Sequence, residues 1–538
     1  MELARVFLLS ALFLLGFMLW NAWENEHTSK LPTTTSIQST IQNKASLENT
    51  AIPAHAVTTT TMIPAPEHRL VYVHTNVLDI AIDTQGGNIV QANLLAYPQK
   101  LHDAAPYHLL SNDPATFYIA QSGLLSGNGP DTSSGQALYS TSQTNYSLAN
   151  GQNQLVINLT WQGKDGIAVQ KQFLFTKGSY QVGINYKINN STSSAWDGRL
   201  YTQLQRKKIT PPSHGMFMIN PYMGGAISNQ EHPYQKISFD KMAEQNLDLT
   251  IKNGWAAMVE HYFLSAWIPN PNQDFTYYTK VNNDIYTLGM ISSPITVAPG
   301  AQSQINAKIY LGPESIDTLK TVAPNLDLTV DYGILWFISI GLFWLLKHVH
   351  QLIGNWGWSI VIVTLLIKLV FYHLSAKSYR SMASMRKLQP RLQSLKERYG
   401  DDRQKLTQAT MELYKTEKIN PLGGCLPIIV QIPVFIALYW VLLESVELRQ
   451  APFILWIQDL SVRDPYFILP IIMGLTMFIQ QRLNPAPPDP VQAKVMMFLP
   501  VFFTFLFSSF PAGLVIYWIV NNSLSILQQW HIIRKMEQ

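Results

Sequence analysis

The chain has 538 residues, room for more than one folding unit, and is 47% hydrophobic with only 13% charged residues, well below the quarter typical of soluble proteins. A net charge of +4 is too small over this length to mark a nucleic-acid binder. Cys425 is the sole cysteine, which excludes an intrachain disulfide and any CxxC zinc or redox site.

Val6 to Trp20 is an apolar run preceded by Arg5 and followed by Glu24 and Glu26. It reads as an uncleaved anchor over residues 1–24 with its N-terminus inside. The rival, a cleaved signal peptide, lacks a clean small-x-small site after the run. Asn25 to Glu67 is rich in Thr, Ser, Pro and Gln without a sustained period, and reads as a flexible tether.

From about 68 to 324 the period becomes two. Leu78 to Ile82 alternates, Gly86-Gly87 supplies a turn, and Asn88 to Leu94 returns; Leu155 to Trp161, Ile167 to Phe175 and Tyr180 to Ile188 repeat the pattern. Many short strands over this length predict an all-β sandwich.

After Asp331 the character changes again. Ile334 to Leu346 is apolar for only 13 residues and rich in Trp and Phe, which fits an interfacial helix within 325–354 better than a span. Five longer candidates follow: Trp356 to Ser375, Leu422 to Leu443, Tyr466 to Gln480, Ala493 to Ser509, and Gly513 to Ile533. Lys377 to Lys418 holds eleven Lys/Arg against five acids, a net of +6, whereas Glu444 to Asp464 holds two against four. The positive-inside rule then puts the first segment in the cytoplasm and the second outside. Counting back, the β domain lies outside and both termini inside, with six spans, provided Ile334 to Leu346 does not cross.

Residues 377–419 are themselves patterned. Met385 to Tyr399 and Arg403 to Lys418 read as helices separated by Gly400-Asp401-Asp402, a turn and cap signal. The expected product is a basic cytoplasmic hairpin. Its bland role is a solvated, lipid-facing device; its sharper role is docking a ribosome, targeting factor or translocon through Arg386, Lys387, Arg391, Lys396, Arg398, Arg403 and Lys405.

Conventional catalytic signatures are missing. Neither a GxxxxGK[ST] phosphate loop nor HExxH occurs, the candidate spans hold no aspartate, and the histidines lack ligand spacing. No catalytic residue, metal, cofactor or nucleotide is expected. One charge stands out: Lys368, inside the Trp356 to Ser375 span, where an ammonium costs about 2.5–3.5 kcal/mol unless it finds water or a partner. Snorkelling to the cytoplasmic end is the plain explanation. Against it, Thr364 sits one turn away on the same face, and Tyr517, Asn521, Ser525 and Gln529 repeat every four residues in the last span. Gln431 lies at similar depth in its own span. Interhelical hydrogen bonding explains such a stripe as well; together with Lys368 it suggests a hydrated, cation-bearing recess. A polar tail with acidic residues could dwell there while an adjoining apolar segment slides into lipid.

Asn355-Trp356-Gly357 through Lys368, Gly400 to Tyr439 with Asn420-Pro421-Leu422-Gly423-Gly424-Cys425, Val446 to Gly474, and Phe510-Pro511-Ala512-Gly513-Leu514 through Asn522 resemble the YidC family of membrane-protein insertases, in the Gram-negative form with a large periplasmic domain. The resemblance implies a multi-domain inner-membrane protein. Its parts would be an all-β periplasmic supersandwich, an interfacial amphipathic helix, and a transmembrane bundle whose five core helices surround a hydrophilic, cytosol-open groove. It also implies insertion and chaperoning of nascent membrane proteins, alone or beside the Sec translocon. In that family the groove charge is typically arginine; lysine stands at 368 here, which puts a need for a bidentate guanidinium in doubt but not a need for positive charge. The alternative from a different class is a small-solute channel or transporter with a sensing outer domain, though no inverted repeat is visible.

Overall fold

The computed structural model describes residues 69–208, 221–271, 273–400, 402–417, 426–484 and 490–537. The expected anchor over 1–24, the tether over 25–67 and the Asn420 to Cys425 motif lie outside the described residues. The chain divides into two compact units, one β and ending near Thr329, the other helical and beginning near Val330.

Among the described residues the β unit is a sandwich of a 13-stranded and an 8-stranded sheet. Among its strands are β1 (Leu78–Asp83), β2 (Asn88–Pro98), β3 (Tyr118–Leu125), β4 (Gln154–Gln162), β5 (Ile167–Thr176), β6 (Gln181–Asn190), β7 (Trp196–Lys207), β8 (Trp255–Glu260), β9 (Phe263–Pro269), β10 (Ile285–Ser292) and β11 (Gln302–Pro313). The larger sheet carries β10-β7-β3-β2-β1 side by side, and the smaller carries β8-β9-β11-β6-β5-β4. Two short helices, α1 (Phe239–Glu244) and α2 (Ile316–Val322), complete the unit. Gly86 and Gly87 turn β1 into β2 with φ of 72° and 62°, a left-handed pair that side chains resist.

Period-two alternation explains which faces meet. Along β5, Ile167, Val169, Phe173 and Phe175 are buried while the residues between are half-exposed. Lys171 breaks the rule: it holds an inward position and is fully buried. Its ammonium donates to the Gly86 carbonyl at 3.0 Å and the Ser122 carbonyl at 2.7 Å, so the charge is hydrogen-bonded as burial demands. Burial pushes the nearby Asp131 carboxyl up and the Lys171 ammonium down, each opposed by the other's charge. Polar bonds also cross between the sheets. Trp267 Nε1 donates to the Gln203 carbonyl at 3.1 Å, Tyr186 donates to Ser122 Oγ at 2.9 Å, and buried Arg206 pairs with Glu260.

The helical unit contains α3 (Trp336–Ile353), α4 (Trp356–Val370), α5 (Tyr372–Lys387), α6 (Gln389–Tyr399), α7 (Arg403–Thr416), α8 (Leu426–Glu444), α9 (Ile468–Leu483), α10 (Pro490–Phe507) and α11 (Ala512–Glu537). Three expectations need correction. The apolar run Ile334 to Leu346 begins in a 3-10 turn, Gly333–Leu335, and continues in α3, a helix of 18 residues, about 27 Å at 1.5 Å per residue, because Lys347, His348 and His350 do not end it. The left-handed Gly354, φ 73°, does, its N–H returning to the His350 carbonyl at 2.7 Å. Shortness therefore gives no reason for α3 to stay at the interface.

The expected span Trp356 to Ser375 is broken at Phe371. There α4 ends after 15 residues and α5 leaves it at 68°. The expected helix Met385 to Tyr399 is likewise divided at Leu388, because Pro390 in the first turn of α6 offers no N–H to extend α5. Arg386 and Lys387 consequently lie on α5 and not on the α6–α7 pair. Asp402 caps α7, accepting from the Gln404 and Lys405 N–H groups at 3.1 and 3.0 Å.

Helix length alone does not set the span count. The described apolar portions of α8, α9 and α10 are Val430–Glu444, Ile468–Leu483 and Ala493–Phe507, about 22–24 Å each and at the short end for a bilayer. Between α8 and α9, one of the acids used as topology charges is structural. Asp464 is 1% exposed and accepts from Trp456 Nε1 at 3.0 Å, the Tyr466 N–H at 3.0 Å and the Leu469 N–H at 2.7 Å. It organises the entry to α9.

Candidate functional site

Lys368 stands in the last turn of α4, whose start is capped by Asn355 Oδ1 accepting from the Trp358 N–H at 3.0 Å. Gly357 lets the first turn approach Phe453 in the α8–α9 connection: a Cβ there would meet the ring at 2.1 Å. These contacts fix the helix that carries the charge. The lysine is 6% exposed, too little for an amine that snorkels to bulk water. Its Nζ donates instead to Ser525 Oγ on α11 at 2.7 Å. Ser525 in turn donates to the Asn521 carbonyl at 2.8 Å. Among the described residues no carboxylate pairs with Lys368. A buried ammonium answered by a neutral hydroxyl is an uncompensated charge.

The other candidate positions surround this pair unevenly. Thr364, one turn earlier on α4, is buried but donates to its own helix at the Ile360 carbonyl, 2.6 Å away. Tyr517 is buried on α11 and stacks on Phe435 of α8 with centroids 6.2 Å apart. Gln431 is half-buried on α8, one turn before Phe435, and Asn521 is half-buried between Tyr517 and Ser525. The direct contact is Lys368 with Ser525; Gln431 and Tyr517 share the α8–α11 side.

The four-residue stripe on α11 divides its work. Gln529 is fully buried and donates to the Leu483 carbonyl at 3.2 Å and Asn484 Oδ1 at 3.0 Å, closing the end of α9. Asn522 and Gln528 were not singled out by spacing, yet each holds a neighbour. Asn522 donates to Thr476 Oγ1 on α9 at 3.2 Å, and Gln528 donates to the Tyr372 carbonyl just past the α4–α5 bend at 3.1 Å. Their signal was density: Asn521-Asn522-Ser523 and Gln528-Gln529 crowd amides and hydroxyls into one apolar helix.

The basic candidates separate too. Lys387 donates to the Met536 carbonyl at 2.8 Å, tying α5 to the end of α11. Arg391 of α6 pairs with Glu417 after α7 at 2.5 Å, and Lys405 pairs with Asp402 at 3.2 Å. Arg386, Lys396 and Arg398 are exposed. The Arg403 side chain lies outside the described residues.

Residues 70–345 match the family model described as the YidC periplasmic domain, and residues 348–538 match that of the 60Kd inner membrane protein. Together they account for both structural units. The chain belongs to the YidC family of membrane protein insertases. A Legionella pneumophila (strain Paris) protein named membrane protein insertase YidC is 52% identical over 541 residues, covering 99% of this chain and 97% of its own length. The Coxiella burnetii (strain Dugway 5J108-111) protein of the same name is 47% identical over 100% of this chain and 97% of its own. A crystal structure of an active YidC insertase with its first transmembrane domain resolved covers 86% of this chain and 92% of its own at 17% identity, with a TM-score of 0.38. That superposition is too weak to add to the family matches. Within the family, the β unit is the large periplasmic β-sandwich and the helical unit is the inner-membrane part.

Proposed function

We propose that this insertase accepts the polar part of a nascent membrane protein in a hydrophilic, cytosol-open groove bounded by α4, α8 and α11, with Lys368 supplying its positive charge. Lys368, Thr364, Gln431, Tyr517, Asn521 and Ser525 contribute to that groove. The observation that carries the reading is the buried Lys368 amine, hydrogen-bonded to Ser525 Oγ at 2.7 Å and unopposed by a carboxylate among the described residues. Acidic residues of a client would find there the counter-charge that water supplies elsewhere. The client's apolar segment then enters lipid by burying its own surface, at about 25 cal/mol per Å², so no nucleotide is required.

Topology follows from charge. If α3 crossed the bilayer, α4 would return the chain outward and leave the +6 segment 377–418 on the periplasmic side, against the positive-inside rule. We therefore assign α3 to the outer interface. Six spans follow, with 1–24 as the anchor, 25–67 as linker, 68–324 periplasmic, 377–419 cytoplasmic, and both termini inside. The α6–α7 pair, with Arg391, Lys396, Arg398, Arg403 and Lys405, is the docking surface for a ribosome or targeting factor. Arg386 and Lys387 form its root on α5. Work beside the Sec translocon uses the same groove.

Reconstitution tests the reading. The full chain in liposomes, without nucleotide, should give protease-protected insertion of a small single-span client with an acidic outer tail. Insertion no better than in empty liposomes, or uptake of small solutes in its place, would count against it.

A further inference from the structure

The outward face of β4, β5, β6 and β11 is composed differently from an ordinary solvated sheet. Strand register puts Gln162, Ala168, Asn189 and Gln302 in one row across the four strands. The next row is Thr160, Gln170, Lys187 and Gln304, and the third is Asn158, Gln172, Asn185 and Asn306. All point away from the core, since their neighbours along each strand are the buried ones. Nine of these twelve are amides, none is a carboxylate and one, Lys187, is charged. A solvated face of average composition would hold about a quarter charged residues.

The first two rows floor an open trough of about 730 Å³, bordered at the β4 edge by Ser140, which bridges to Thr160. In the third row the amides engage each other, Gln172 donating to Asn158 at 2.9 Å. In the trough they do not: Gln162, Gln170, Gln302 and Gln304 make no side-chain hydrogen bond among the described residues. Each therefore offers donors and an acceptor to whatever lies above, at strand spacings of about 4.8 Å.

The chemistry selects among ligands. One cation is too few for a phosphate backbone or an acidic peptide. The floor lacks the apolar anchors by which a polypeptide docks on a face, and β5, β6 and β11 are flanked on both sides by strands, so strand addition is closed to them. A polyhydroxylated chain matches: its closely spaced hydroxyls both donate and accept, as the amides of the floor do. We propose that this trough of the periplasmic domain is a glycan-binding site for an uncharged oligosaccharide chain. The site is separate from the helical unit and does not rest on the groove.

Isothermal titration of the full-length protein tests this, in a zwitterionic detergent without a sugar head group. The probes are hexamers of β1,4-linked N-acetylglucosamine and of α1,6-linked glucose. At least one should bind saturably, and Gln170→Ala/Gln304→Ala, whose side chains lie on the surface, should weaken it by roughly tenfold or more with an unchanged melting transition. Absence of saturable binding by both hexamers at millimolar concentration, or undiminished binding by the double variant, overturns the proposal. So does a neutral Gly/Ser/Gln peptide that binds saturably and loses affinity in the double variant while the hexamers do not bind.

Discussion

Replacing Lys368 by methionine separates a functional charge from a structural one. The side chains have similar length, so packing at this 6%-exposed position is kept. Removing the ammonium relieves an insertion cost of about 2.5–3.5 kcal/mol and forfeits one charge-assisted hydrogen bond of about 1.5–3 kcal/mol. Ser525 is not orphaned, because its hydroxyl still donates to the Asn521 carbonyl at 2.8 Å. The sum predicts that Lys368→Met is as stable as the parent or more so, by up to about 2 kcal/mol. The lost attraction is larger: an acidic client residue within 4 Å of the amine gains about 4 kcal/mol at an effective dielectric of 20. A third of that is roughly tenfold in rate. Denaturation in mixed micelles and proteoliposome insertion of a client with an acidic tail measure the two quantities. A variant that is less stable by more than about 2 kcal/mol, or that inserts the acidic client at the parental rate, would refute the reasoning.

Charge type gives a companion series. Lys368→Arg should retain insertion and Lys368→Glu should lose it for acidic tails, as measured by complementation after depletion; full complementation by the Glu variant contradicts an electrostatic role. Asp464→Ala removes the acceptor of three donors and should cost about 2–4 kcal/mol, read as a lowered denaturation midpoint of the helical unit; Asp464→Asn should recover part of it. In the β domain, Lys171→Met leaves Asp131 buried without its opposing charge and should destabilise by about 3–5 kcal/mol, while Lys171→Met/Asp131→Asn should cost less than the two single changes summed. Additive costs in that cycle would show the two groups to be independent. Gly474→Val should loosen α9 from α10, since even a Cβ would meet Thr504 Oγ1 at 2.0 Å; an unchanged midpoint would show that the helices can separate freely.

The β domain was legible because a half-buried strand writes its fold in alternation. Leu155 to Trp161, Ile167 to Phe175 and Tyr180 to Ile188 appear as β4, β5 and β6 with shifts of a residue or two at their ends. The same alternation puts Lys171 on the inward face, but it could not show which carbonyls, from a distant turn and strand, receive its ammonium. Helix ends were less legible. The break at Phe371 carries no Pro or Gly at its own position, and Gln528, which meets the Tyr372 carbonyl, comes from the far end of the chain. The partner of Lys368 was half visible: the α11 stripe marked Ser525 as polar in an apolar helix, but only tertiary packing determines which helix each polar residue faces. Asn522 and Gln529 turned to α9, and Ser525 alone to the lysine.

The central claim is that a nascent chain passes beside Lys368. Photo-crosslinking amino acids at Thr364, Gln431 and Tyr517, positions on three different helices, address it during synthesis of a small single-span client. The account predicts that all three capture the client while its acidic tail is still cytoplasmic, and that Lys368→Met reduces that capture. Crosslinks confined to the lipid-facing sides of α9 and α10, with none from these three positions, would contradict it.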